Sequence, residues 1–330
     1  MPFFTPLVGY NPTLYVGKIG EFVELVRGLH NLRSKHHGCV LTIGKFDGVH
    51  LGHQAVLANV CREAEARQLP ATVMVFEPQP EEFFAPQRAP ARLSRLRDKY
   101  NELRRIGIDR LLCMRFDQHF ASWPAEAFIR ELLVERLGVK FLVVGDDFRF
   151  GQGRQGDFAM LLAAGKQYGF EVVSTQSFRL EDCRISSSAV RDALKQGDLA
   201  SAQMMLGRPY SIAGKVVHGQ KKGRTIGFPT ANVLLKRCVS PVSGVFAVTV
   251  NSAFGQFFGV ANIGTRPTVD GVKPLLEVHI FDFDQHLYGQ QIEVVLGKKL
   301  RDEHKFDSFE HLKKQIEIDV QQARDFYRHN

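Results

Sequence analysis

No apolar run in the 330 residues approaches the roughly 18 to 20 positions that a bilayer-spanning helix requires. The longest candidates, such as Phe141-Leu142-Val143-Val144, are strand-sized. The opening stretch MPFFTPLVGYNPTLYVG lacks the basic head and continuous apolar core of a secretory signal, so the expected residence is the cytoplasm, with no membrane partner. Cysteine is scarce: Cys39, Cys61, Cys113, Cys183 and Cys238 form no CxxC pair, and five is an odd number. Their spacing suits neither a zinc knuckle nor a disulfide framework, so they are expected to be reduced thiols, mostly in the core. Nor is there a block of like charge. The net charge of +8 is spread along the chain, which fits a polyphosphate substrate as well as it fits nucleic acid. What is present, 44% hydrophobic and 24% charged residues, excludes a disordered chain. The length accommodates two domains of about 150 residues.

From Cys39 onward, short apolar runs alternate with helical periodicity. Cys39–Ile43 reads as a buried strand, and Gln54–Arg67 as a helix with Val56, Leu57, Val60 and Ala64 on one side. Strands at Ala71–Phe76, Arg110–Arg115, Phe141–Gly145 and Glu171–Thr175 are separated by helices at Ser94–Ile106, after Pro124, and at Asp157–Tyr168. Such spacing predicts βαβ crossovers and a doubly wound, mostly parallel sheet, which binds ligands beyond the carboxyl ends of its strands. The pattern changes at Gly207-Arg208-Pro209. Beyond it, alternating segments at Ala213–His218, Val245–Val250, Gln256–Val260, Leu276–Phe281 and Ile292–Leu296 predict an antiparallel β-barrel or sandwich. A helix over Ser308–Tyr327 closes the chain, with Phe309, Leu312, Ile316 and Val320 near helical spacing. The expected domains are 21–206 and 207–330, with residues 1–20 an extension outside the fold.

The loop after the first strand reads Gly44-Lys45-Phe46-Asp47-Gly48-Val49-His50-Leu51-Gly52-His53. His50 and His53, three apart at a helix start, face the positive end of the helix dipole, and Gly48 and Gly52 let the backbone approach a phosphate. A bare HxxH is an ordinary strand–helix turn; the full ten-residue string is not. Ser186-Ser187-Ser188 can cap a helix whose free N–H groups, with Arg191, hold a triphosphate. Gly151-Gln152-Gly153-Arg154-Gln155-Gly156 is literally GxGxxG. It stands too far from its strand, though, and Glu171 lies at the start of the next strand, so a dinucleotide site is rejected.

In the second domain no Walker A pattern occurs. Instead Gly214, Gly219, Gly223 and Gly227, with Lys221, Lys222 and Arg224, form a Gly-rich basic loop suited to covering a nucleotide. If Thr230-Ala231-Asn232 is extended, Thr230 and Asn232 share a side and offer hard oxygen ligands to Mg2+ carried by ATP. Glu277 lies in an otherwise apolar strand, where a carboxylate must be solvated, paired or functional.

These strings resemble the prokaryotic bifunctional riboflavin kinase/FMN adenylyltransferase family, also called FAD synthetase. GxFDGVHxGH at Gly44–His53 is joined in order by Phe76-Glu77-Pro78-Gln79-Pro80, by Gly145-Asp146-Asp147-Phe148-Arg149-Phe150-Gly151 and by Arg184-Ile185-Ser186-Ser187-Ser188-Ala189-Val190-Arg191. The run GKVVHGQKKGRTIGFPTAN from Gly214, the segment Gly259–Thr268 and Leu276-Glu277-Val278-His279 match the kinase half. The resemblance implies a Rossmann-like nucleotidyltransferase domain followed by a riboflavin kinase barrel. It assigns ATP to Gly44, Phe46, Asp47, His50, Gly52, His53, Ser186, Ser187, Ser188 and Arg191, with His50, His53 and Arg191 acting in adenylyl transfer. Glu77, Pro78, Asp147 and Phe148 are placed near flavin or adenine. In the kinase half, ATP falls to Gly214, Gly219, Lys222, Gly223, Arg224, Thr230 and Asn232, the general base is Glu277, and Arg301 and Phe306 lie on the flavin side. Departures are modest: Lys45, Gln79, Ser188 and Phe246 replace commoner residues at their positions. The implied chemistry makes FMN and then FAD from riboflavin and ATP, with no nucleic acid as partner. Two alternatives stay open here, that only one domain is active, or that a dead enzyme fold serves as a flavin- or RNA-binding regulator.

Overall fold

A computed structural model of the chain describes residues 22–178, 185–219, 227–235, 239–268 and 271–329. The expected extension 1–20 lies outside them, as do Cys183 and Cys238. Cys39, Cys61 and Cys113 are buried, free thiols. The chain divides into two compact units, one of residues 22–88 and 99–178, the other of 89–98 and 185–329.

The first unit is a sheet of six parallel strands: β1 (Glu24–Arg27), β2 (Cys39–Ile43), β3 (Ala71–Glu77), β4 (Arg110–Arg115), β5 (Val139–Val144) and β6 (Glu171–Ser174). Their order is β1-β4-β3-β2-β5-β6, every pair parallel. The connections are α1 (Leu51–Arg67), α2 (Pro80–Phe84), α3 (Leu96–Ile106), α4 (Gln118–Ala121), α5 (Ala125–Ala127) continued by a π-helical stretch Phe128–Arg136, and α6 (Phe158–Tyr168). All five residues of the central strand β2 are buried, as a strand covered on both faces must be. In α1 the anticipated stripe of Val56, Leu57, Val60 and Ala64 is buried, joined by Cys61, and the helix begins three residues earlier than its periodicity indicated. Strand β1 had no sequence signal; it pairs with β4 at the sheet edge. From β2 the chain winds through β3 to β4 on one side, then crosses to β5 and β6 on the other. The carboxyl ends of β2 and β5 therefore form the switch point, where such sheets hold ligands.

The second unit is a closed barrel of β7 (Ser211–Val217), β8 (Ala231–Leu234), β9 (Gly244–Ser252), β10 (Gly255–Thr268), β11 (Gly271–Ile280) and β12 (Gln291–Arg301), in the order β10-β11-β8-β7-β12-β9. Closure comes from β9 pairing with both β10 and β12. Two helices precede it, α7 (Ser187–Gln196) and α8 (Leu199–Leu206), and one follows, α9 (Phe309–Arg328). The barrel core includes Phe246, Val248, Ile263, Leu276 and Val294, and it takes in Val190 and Leu194 of α7 and Ala202 and Leu206 of α8. The end of α9 packs through Val320, Ala323, Phe326 and Tyr327. Phe309, anticipated on its apolar stripe, is half exposed.

Candidate active sites

At the switch point, the loop leaving β2 is held in a conformation few residues adopt. Phe46 and Val49 have φ of 45° and 42°, and Gly48 has 82°. For a β-branched residue such a φ costs free energy and persists only where surrounding contacts over-determine it. Both apolar side chains supply those contacts, Phe46 at 5% exposure and Val49 at 0%. Asp47, between them, is also buried.

His50 caps α1 and accepts the backbone N–H of His53 on Nδ1, at 3.2 Å. With Nδ1 an acceptor, a neutral His50 carries its proton on Nε2 as a donor. The two imidazoles stack at 3.6 Å between centroids, and the Phe46 ring meets His53 edge-on at 5.2 Å. Burial first, then the positive charges of His50 and Lys99, hold the His53 imidazole well below the usual histidine range. Its Nδ1 is buried and has no hydrogen-bond partner among the described residues. The stacked pair is therefore rigid, with His53 held neutral, at a helix N-terminus suited to charge developing on phosphate oxygens. Gly44 and Gly52 flank it, and a side chain at Gly44 would meet the Phe46 ring at 3.0 Å.

The loop after β5 lies at the same switch point. The Asp147 carboxylate folds over Gly145, where an added Cβ would lie 2.6 Å from Oδ1. The Phe148 N–H donates to the Gly145 carbonyl at 3.0 Å, and its ring stacks on Phe150. Glu77 ends β3, and its bond to Pro78 is cis. Gln79, which the sequence singled out only as a departure, is buried; its N–H donates to Glu82 Oε2 at 2.9 Å and its Nε2 has no partner among the described residues.

Packing accounts for two of the three glycines of GxGxxG. A Cβ on Gly151 would sit 2.7 Å from the Ala125 backbone, and one on Gly156 would enter the Phe150 ring. The segment closes on itself through a bridge between Phe150 and Gly156. The third glycine, Gly153, holds a left-handed φ of 64° within the turn.

Ser186, Ser187, Ser188 and Arg191 belong to the second unit. Ser186 caps α7, its Oγ accepting the Ala189 N–H at 3.2 Å. The Arg191 Nε donates to the Ala91 carbonyl at 2.6 Å, which anchors the guanidinium.

In the barrel, register assembles what the sequence left scattered. Glu277 on β11 lies directly opposite Asn232 on β8 and Asn262 on β10. Leu276 and Val278 enter the barrel core, so alternation turns this row to the outer face. Asn232 is 5% exposed; its Nδ2 donates to the Thr230 carbonyl at 3.3 Å, while Oδ1 is buried with no partner among the described residues. A Cβ on Gly219 would collide with this carboxamide, so only glycine fits there, and one on Gly214 would strike Val233. The His279 Nδ1 donates to the Pro229 carbonyl, 2.9 Å away, and its ring meets Phe228 edge-on, tying the GFPT segment to β11. Thr230 lines a cavity of about 310 Å³ together with Val216, Ile280, Asp284, His286 and Tyr288. Lys222, Gly223 and Arg224 lie outside the described residues.

Arg301 is gripped by Asp319 of α9, with Nε to Oδ1 at 3.0 Å and Nη2 to Oδ2 at 2.8 Å, and its guanidinium lies 5.5 Å from the Phe306 ring centre. Asn262, His279 and Asp319 escaped sequence reasoning. Asn262 stood inside a quoted motif with no role, and only register sets it beside Glu277.

Comparison with known proteins agrees with both halves. The family model for FAD synthetase matches residues 32–189, and that for riboflavin kinase matches 206–327. A bifunctional riboflavin kinase/FMN adenylyltransferase of Escherichia coli strain K12 is 56% identical over 308 residues, covering 92% of this chain and 98% of its own length. The chain belongs to the bifunctional riboflavin kinase/FMN adenylyltransferase family. The Haemophilus influenzae member is 53% identical over 92% of this chain and 99% of its own. A Streptococcus pneumoniae crystal structure, described as a macrolide-efflux protein, is 30% identical with a TM-score of 0.73, over 92% of this chain and 99% of that one. Among the described residues of the present chain, no helix is long and apolar enough to cross a membrane. As a riboflavin kinase and FMN adenylyltransferase, the chain phosphorylates riboflavin to FMN and adenylylates FMN to FAD.

Proposed function

We propose that adenylyl transfer belongs to residues 21–206 and riboflavin phosphorylation to 207–330, with the cytoplasm as the place of work. In the first reaction a phosphate oxygen of FMN attacks the α-phosphorus of ATP, and the bond to pyrophosphate breaks. That nucleophile is already ionised, so no protein base is required; positioning and charge stabilisation carry the rate. His50 and His53 donate to the phosphates over the turn that holds Gly44, Phe46, Asp47 and Gly52. Ser186, Ser187 and Ser188, at a capped helix start, and Arg191 take triphosphate oxygens. Glu77, Pro78, Asp147 and Phe148 border the flavin or adenine.

In the second reaction the ribityl hydroxyl loses its proton to Glu277 as its oxygen bonds the γ-phosphorus and ADP departs. Such a hydroxyl is too weak an acid to attack unaided, so a carboxylate within reach is needed. Thr230 and Asn232 would hold Mg2+. The buried, unpartnered Asn232 Oδ1 is a hard oxygen donor that fits it, and the ion supplies charge neutralisation on the phosphates. Gly214, Gly219, Lys222, Gly223 and Arg224 cover the nucleotide, while Arg301 and Phe306 border the flavin. The observation that carries this reading is the pairing of Glu277 directly across from Asn232, which sets the proposed base beside the proposed metal ligand.

The test incubates purified chain with riboflavin, ATP and Mg2+ and separates the flavins by chromatography. Glu277→Gln is expected to lower FMN formation by about a hundredfold or more, while added FMN still becomes FAD. Undiminished FMN formation would remove Glu277 from the base role.

A further inference from the structure

Lys99 is at 2% exposure, in the first turns of α3. Lysine is among the residues least often buried, because desolvating its ammonium is costly. A fold retains such a group where its charge has a use. The Lys99 Nζ donates to the carbonyl of Lys45, in the loop between β2 and α1. The next residue, Phe46, holds a left-handed φ of 45°, and its ring rests against His53. A continuous chain of contacts therefore runs from Lys99 through the Lys45 carbonyl and the Phe46 ring to His53 and His50.

We propose that Lys99 is a positioning residue for adenylyl transfer: its ammonium fixes the Gly44–His50 turn and places a buried positive charge behind the His50–His53 pair, where a polyphosphate docks. This rests on the assignment of adenylyl transfer to residues 21–206. Two effects follow from one group. The turn keeps the strained backbone that stacks the imidazoles. The cation also opposes protonation of His53, whose neighbouring charges are His50 at the cap of its helix and Lys99 from α3.

The experiment uses the full chain with Lys99→Met, which keeps the length of the stem and removes the charge, beside Lys99→Arg. With FMN and ATP as substrates, Lys99→Met is expected to lower kcat/KM for FAD formation by about ten- to a hundredfold. The acid limb of its pH–rate profile moves to higher pH, because His53 accepts a proton more readily once the cation is gone. Lys99→Arg keeps the wild-type profile. Riboflavin phosphorylation in the same preparations stays at the wild-type rate and reports that the barrel is intact. Wild-type FAD formation and an unmoved profile in Lys99→Met would overturn the inference. Should that variant not fold, Lys99→Gln takes its place: an acid limb moved to higher pH supports the inference, and an unmoved limb with wild-type FAD formation refutes it. A wild-type chain that converts no FMN to FAD would instead defeat the adenylyltransferase assignment beneath it.

Discussion

His53 illustrates how one side chain serves both structure and chemistry. Its backbone N–H is taken by His50, its ring is sandwiched between His50 and Phe46, and its Nδ1 has no partner among the described residues. A buried polar atom left without a bond costs free energy. His53→Ala is expected to leave FMN formation intact and to stop the reaction there; chromatography that still finds FAD at the wild-type yield would show that the imidazole is dispensable. Asn232 is the counterpart in the barrel, with its amide donor used locally and its buried oxygen without a partner among the described residues. Neither unpartnered atom is visible in a sequence. The motif names the residues, but which of their atoms are already spent depends on neighbours brought in by the fold.

Elements differ in how far their own residues determine them. Strand β2, all apolar, and helix α1, with its stripe, follow from patterning. Strand β1, Glu-Leu-Val-Arg, does not, because four residues with charged ends carry no periodicity. It is held from outside. Glu24 Oε1 accepts from Lys35 at 2.5 Å and from His36 at 3.1 Å, and Oε2 from Arg110 of β4 at 3.2 Å. The hydrogen bond from Lys35, aided by those from His36 and Arg110, pulls the Glu24 carboxyl down to about 2. A depressed acid contributes stability that is complete above its unfolded value of 4.5 and is lost as the pH falls toward 2. Glu24→Gln should therefore lower Tm at neutral pH while flattening its fall between pH 4.5 and 2; parallel Tm curves for variant and wild type would deny the network that role. Strand β10 makes the same point from the other side. Its segment Gly259–Thr268 contains Gly259, Asn262, Gly264 and Pro267, which read as breakers, and the sequence pattern ended the strand at Val260. Pairing with β9 and β11 carries it on to Thr268.

At the scale of the molecule, the composition change at Gly207 marks where strands begin, whereas the compact units part earlier. Helices α7 and α8 read as a continuation of the α/β half, yet Val190, Leu194 and Leu206, each at most 2% exposed, belong to the barrel core. The functional boundary proposed at 206 and the packing boundary near 184 thus answer different questions, and the Ser186–Arg191 motif lies between them. Fully burying one such side chain contributes about 1.5–3 kcal/mol. A fragment of residues 207–330 is accordingly expected to be several kcal/mol less stable than one of 185–330, both lacking 89–98. Denaturant unfolding of the two compares them, and equal midpoints would show that α7 and α8 add nothing to the barrel.

The sequence by itself determined the two-part architecture, the parallel sheet followed by the barrel, and the family with its paired activities. Alternation, helical periodicity and unbroken motif strings are local properties, and local properties survive in a linear text. Tertiary structure alone decided that Glu277, Asn232 and Asn262 form one row, that His50 and His53 stack, that α7 and α8 complete the barrel core, and that a lysine 54 positions away holds the Lys45 carbonyl. Each of those depends on register or burial between segments distant in the chain, and strand register is set by which face the whole core requires to be apolar.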